Sequence, residues 1–204
     1  MMAVANKVQP ENLEVVLERL RHELPKEVLL SAIPLNRALG NPSVREIVEA
    51  VDGKVLFGEA HLDKQAGHFG VGAMQLRNYL NYMGQDALVI TPGDRADIIL
   101  GALQANISNN YPSVSGILLT GGLIPEETII RLIEGLSEIV PIISVEGGTY
   151  SVTNQVGAVR SRIYPENRKK ISLSINEFSR YVPEDDLAER LVTFEAEGIT
   201  PRMF

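Results

Sequence analysis

Apolar residues along the chain fall into two spacings. Four short runs are almost continuously apolar: 28–33, 87–91 (ALVIT), 116–120 (GILLT) and 140–145 (VPIISV). Runs of this length, closed by Pro or Gly, are the mark of strands covered on both faces of a parallel sheet. Between them, apolar positions recur every three or four residues. Leu13, Val16, Leu17, Leu20 and Leu24 share one face of a helix predicted from residue 10 or 11 to 24. Further helices are predicted at 44–51, 67–81, 96–105, 125–133 and 149–159, and residues 55–57 form another short strand. The opening residues 2–8 are small and β-branched, and Gln9-Pro10 ends them. Strand and helix therefore alternate, as in a parallel α/β sheet. Segments 171–180 and 183–197 complete the chain as a helical arm, with Glu184, Asp185 and Asp186 suited to a helix N-terminus.

Composition narrows the possible chemistry. The chain carries 26 Asp and Glu against 19 Lys and Arg, a formal charge of −7. No long basic run is present, so sequence-independent nucleic-acid binding has no electrostatic basis. The absence of cysteine removes disulfides, thiolate catalysis and Cys-ligated metals, and fits a reducing cytoplasm. No signal peptide opens the sequence, and its apolar runs are far too short for a membrane span. His22, His61 and His68 are the three histidines, and none stands three or four residues from another, so no metal site is expected. His68, on the predicted 67–81 helix, reads as a core or interface residue. Asp52-Gly53-Lys54-Val55 lacks both the upstream Gly and the following Ser or Thr of a phosphate loop, and there is no Gly-x-Ser-x-Gly elbow. No complete active site is visible.

Candidate chemistry lies where strands run into Gly-containing loops that open helices. Thr91-Pro92-Gly93-Asp94-Arg95 follows one strand, and Thr120-Gly121-Gly122 follows the next. In open α/β sheets, ligands bind at this carboxyl-terminal edge, near a topological switch point. Gly lets backbone N–H groups approach a ligand, and a helix start suits phosphate or carboxylate. Arg95 can grip such an anion bidentately, while Asp94 caps the helix or orients Arg95. Equally, a Gly-Gly after a strand can be a tight turn, and an Asp-Arg pair a cap beside a surface charge. The third loop, Val145-Glu146-Gly147-Gly148-Thr149, brings a Thr hydroxyl to a helix start, where capping is its expected role.

Gly93-Asp94-Arg95-Ala96-Asp97, followed by Leu119-Thr120-Gly121-Gly122, resembles the split signature of the DRTGG domain. That domain occurs in long-type phosphotransacetylases and beside regulatory domains in some pyrophosphatases. The likeness covers residues 54–164 and implies a three-layer α/β domain with a parallel sheet. It carries Asp94, Arg95, Thr120, Gly121 and Gly122 over as the motif. Residues 1–53, with Val4-Ala5-Asn6-Lys7-Val8 and Ser31-Ala32-Ile33-Pro34, resemble the last part of a dethiobiotin-synthetase-like P-loop domain, in which Asn6 would read a nucleotide base. The phosphate loop of that fold has no counterpart here. The chain is therefore a fragment, or descends from a domain that lost its nucleoside-triphosphatase part. Residues 165–204 form the arm, and Thr200 to Phe204 resemble the linker before a phosphotransacetylase catalytic domain.

The resemblance implies a cytoplasmic regulatory and assembly module without a resident cofactor. Its ligand would be an anionic metabolite or nucleotide, held by Gly93, Asp94, Arg95, Thr120, Gly121, Gly122 and Thr149, with Asn6 in the first segment. A homo-oligomer and contact with an acetyltransferase catalytic domain are the expected partnerships. Two alternatives stand beside this reading: part of a phosphate acetyltransferase enzyme, and a purely structural oligomerisation module.

Overall fold

The computed structural model describes residues 1–165 and 167–195, with side chains through Glu189. In chain order the elements are β1 (Met2–Val8), α1 (Leu13–Glu23), β2 (Leu29–Pro34), α2 (Arg37–Gly40), α3 (Val44–Ala50), β3 (Lys54–Phe57), β4 (His68–Val71) and α4 (Leu76–Tyr79). There follow β5 (Ala87–Pro92), α5 (Ala96–Ile107), β6 (Val114–Thr120), α6 (Glu127–Glu134), β7 (Ile142–Ser144), α7 (Thr149–Ala158), α8 (Arg168–Tyr181) and α9 (Glu184–Glu195). The tail Thr200 to Phe204 and the last residues of the expected 183–197 helix lie outside the described residues.

The chain forms two compact units, Met1–Leu39 with the segment from Ile163 onward, and Gly40–Arg162. In the first, β1 and β2 pair in parallel, with Met2 opposite Leu29 and Ala5 opposite Ala32. Helix α1 packs mainly on β2, and α8 also packs on β2, where the Ser31 hydroxyl donates to the Tyr181 carbonyl.

The second unit holds a five-stranded sheet in the order β3-β7-β6-β5-β4. Four of these strands are parallel, and β3 alone runs antiparallel, against β7. Helices cover both faces. Val89, Ile117, Leu119 and Ile142 face a core completed by Tyr79 of α4, Ile98 and Leu103 of α5 and Ile133 of α6. Leu88, Ile90, Leu118 and Ile143 face the opposite core, with Val44 and Ile47 of α3 and Val152 and Val156 of α7. Neighbouring strand residues thus enter different cores, which is why these strands read as unbroken apolar runs. This is the three-layer α/β architecture expected of the sequence.

One expected helix is not formed. Residues 67–81 divide into β4 and the single turn α4. Gly70 and Gly72 favour that outcome, because Gly is a poor helix former and β4 gains a full parallel ladder against β5. Gly70 also admits the Tyr79 phenol, whose oxygen lies 3.1 Å from where a Cβ would stand. His68 consequently sits exposed on β4 instead of in the core. The N-terminus of α3 is sharper than Pro42 alone suggests. The Ser43 hydroxyl accepts from the Glu46 N–H at 3.2 Å, and Glu46 accepts from the Ser43 N–H at 2.7 Å. The same carboxylate accepts from the Arg162 N–H at 2.6 Å, tying the start of α3 to the end of its unit.

Candidate functional site

Strands β4 to β7 step across the sheet in one direction, so their carboxyl ends deliver four loops side by side: 72–75, 93–95, 121–126 and 145–148. No reversal of strand order occurs among these four. The edge is therefore not the switch-point crevice anticipated from the sequence. What distinguishes it is how each loop is tied to the next.

Gly93 is buried, and its N–H donates to the Thr120 carbonyl at 3.4 Å. A Cβ at Gly93 would lie 1.9 Å from the Leu123 carbonyl oxygen, so the loops after β5 and β6 touch backbone to backbone. Gly121 and Gly122 hold φ values of +82° and +65°, the left-handed region that Gly enters without penalty. Their N–H groups donate to the carbonyls of Gly147 at 2.9 Å and Val145 at 3.0 Å. The Glu146 carboxylate lies over Gly122, within 2.6 Å of a Cβ placed there. The glycine N–H groups considered as ligand donors are thus engaged inside the protein.

Thr120 and Thr149 form a further tie. Their hydroxyls are 2.7 Å apart, with Thr120 almost wholly buried. Thr149 does not cap α7: the N-cap is Gly148, and no side chain caps it. The expected capping role is replaced by this hydroxyl bridge, because the motif Thr on β6 offers a nearer partner.

Arg95 is the edge's central cation. Its Nε and one terminal nitrogen donate to Asp97 at 2.8 and 2.9 Å, a bidentate fork. The guanidinium also donates to the carbonyls of Gly72 at 3.3 Å, Ala73 at 3.5 Å and Met74 at 2.8 Å. The carboxylate that orients Arg95 is therefore Asp97, not Asp94. Asp94 is exposed and caps nothing, since Arg95 itself holds the N-cap position of α5. The fork holds the Asp97 carboxyl below the usual carboxylate range, and the hydrogen bond to Asp97 raises the Arg95 guanidinium in turn. The pair remains open to solvent, at 29% side-chain exposure for Arg95 and 47% for Asp97.

Seven of the eight residues singled out from the sequence therefore lie in the second unit, on three adjoining strand-end segments. Asn6 belongs to the first unit. It is exposed within β1, and its side-chain oxygen accepts from the Lys7 N–H at 2.8 Å. Sequence reading missed the carbonyls of 72–74, Asp97 and Glu146. Asp97 lay in view two residues from Arg95; the 72–74 carbonyls carried no side-chain signal at all.

A family model described as the DRTGG domain matches residues 46–159. The chain is 39% identical over 173 residues to a phosphate acetyltransferase of Nitratidesulfovibrio vulgaris, covering 84% of this chain and 25% of that one. Against the phosphate acetyltransferase of Synechocystis sp. the identity is 36% over 205 residues, covering 98% and 29%. The chain thus spans less than a third of the length of these relatives. A solved structure of the CBS and DRTGG domains from the regulatory region of Clostridium perfringens pyrophosphatase, complexed with its activator diadenosine tetraphosphate, is similar with a TM-score of 0.47. Identity there is 17%, over 78% of this chain and 74% of that one.

Proposed function

Since the chain belongs to the DRTGG domain family, we propose that it is a non-catalytic ligand-sensing and assembly module related to phosphate acetyltransferases. Its ligand is an anionic metabolite or nucleotide, taken at the strand-end edge formed by residues 91–95, 120–122 and 149. The observation that carries this reading is the state of Arg95. Among the described residues, this guanidinium at the carboxyl end of a parallel sheet is bound to an exposed carboxylate and to carbonyls and to nothing else. A phosphate or carboxylate group presents the same bidentate acceptor geometry as Asp97 and, being charged, can displace the neutral carbonyls of residues 72–74 from the terminal nitrogens of the guanidinium. Because the N–H groups of Gly93, Gly121 and Gly122 are engaged, the anion is recognised by Arg95 and by the Thr120–Thr149 hydroxyls, not by a cradle of these glycine amides. Sensing follows by population shift, in which the ligand favours one arrangement of the loops over another. In a cell the module works in the cytoplasm, as a homo-oligomer and against an acetyltransferase catalytic domain.

A second reading, that the chain contributes to a phosphate acetyltransferase enzyme, is favoured by the names of its relatives. Formation of acetyl-CoA from acetyl phosphate and CoA by the purified chain, with release of phosphate, would establish it and set aside a non-catalytic role.

The test of ligand sensing is a thermal-melt screen with ATP, ADP, AMP, cyclic dinucleotides, NADH, acetyl-CoA, acetyl phosphate, pyruvate and phosphoenolpyruvate. A ligand at 100 times its dissociation constant stabilises the fold by about 2.7 kcal/mol. For a chain of this size, that raises the melting temperature by roughly 5–10 °C. Arg95→Ala should remove the shift while leaving a cooperative melt. An unchanged shift in that variant would take Arg95 out of the site.

A further inference from the structure

The ties along the strand-end edge are unequal. Loop 93–95 is held to Thr120 by its backbone, and loop 121–122 to 145–147 by two backbone hydrogen bonds. Loop 72–74 is different. Its Gly72 N–H donates to Ile90 at 2.8 Å, and the Thr91 hydroxyl donates to the Gly72 carbonyl at 3.3 Å. Beyond Gly72, the described links of this loop to the neighbouring strand end are made by one side chain, the guanidinium of Arg95. That side chain is partly exposed, and its remaining bonds go to a carboxylate.

We propose that Arg95 is a latch: it holds loop 72–74 closed while it is unliganded, and releases it when an oxyanion takes the guanidinium. The inference rests on the anion-site reading above and gives that site its output. Release frees the carbonyls of Ala73 and Met74 together. It loosens the segment that joins β4 to α4, where the exposed side chains of Val71 and Met74 lie. The site then signals by unfastening one loop, with the three-layer core unchanged. Interior packing resists continuous deformation, whereas a loop held by a few side-chain bonds has two discrete states.

Amide hydrogen exchange of residues 72–75, followed by mass spectrometry or NMR, tests this on the full chain with pyrophosphate as probe. Arg95→Ala should exchange these amides at least about tenfold faster than the parent without any ligand, with no change in β5 or β6. Arg95→Lys keeps the charge but loses the fork, and should fall between the two. Pyrophosphate should speed the same amides in the parent and have no further effect in Arg95→Ala. Equal exchange in the parent and both variants would overturn the latch. If pyrophosphate raises the melting temperature but leaves 72–75 unchanged, the site stands and the latch falls. If the variants exchange faster but pyrophosphate changes neither melting nor exchange, Arg95 is a static tie and the release step is overturned with the site.

Discussion

Replacing Gly93 with alanine should cost about 3 kcal/mol of stability, at the upper end of what overpacking imposes. The cause is not glycine's conformational freedom but its lack of a side chain. The added Cβ would stand 1.9 Å from the Leu123 carbonyl oxygen and 2.5 Å from its carbon. Both are backbone atoms, so no rotamer change relieves the clash. The loop after β6 is itself fixed by Gly121 and Gly122, with their left-handed φ and their bonds to Gly147 and Val145. Moving Leu123 therefore means breaking the tie to the loop after β7. In a thermal melt, a loss of this size lowers the midpoint by roughly 6–12 °C. A Gly93→Ala protein that melts with the parent would mean the two loops do not meet as described.

The second large effect comes from neighbours in sequence that are strangers in space. Leu118→Ala and Leu119→Ala should each cost about 2–5 kcal/mol, the range for emptying a fully buried Leu site. Leu118 faces the core under α3 and α7, while Leu119 faces the core under α4, α5 and α6. Both are fully buried. A sheet with one wet face would show one severe and one mild variant; two covered faces make both severe. Denaturant titration of the two proteins distinguishes these outcomes, and a mild result at either position would remove one layer from the fold.

Much of this fold was legible because its strands are doubly buried. Runs such as 87–91 and 116–120 need no partner to be recognised, since each residue meets one core or the other. Helices α5, α6 and α7 were equally plain from their spacing and from the Gly or Pro before them. Strand β4 was not, because half its residues are Gly or His and its identity comes from pairing with β5. The antiparallel sense of β3 also left no trace, because strand direction is decided by the connection and not by the residues in the strand.

The same division runs through the candidate site. The positions of Gly93, Arg95, Thr120 and the Gly-Gly pair at strand ends followed from local order. Their partners did not. In sequence Gly93 suggests a backbone N–H open to a ligand, yet the space beside it is filled by the backbone of Leu123, thirty residues on in the chain. Adjacency pairs Asp94 with Arg95, but the first turn of α5 brings Asp97 to the guanidinium instead. The carbonyls of 72–74 are more than twenty residues from Arg95, and a carbonyl looks the same in every sequence. Contacts of this kind belong to the tertiary fold, so a motif legible in sequence acquired its physical meaning only once the loops were brought together.

On the proposed function, the strand-end edge of the second unit is where this module meets its ligand. NMR shift mapping of the isotope-labelled chain during titration with pyrophosphate reports on that edge amide by amide. Saturable changes confined to the amides of 72–75, 93–97, 120–122 and 147–150, lost in Arg95→Ala, are the expected result. Saturable changes clustered elsewhere, such as around Asn6 or at the opposite end of the sheet near Asp86 and Ser113, would contradict it.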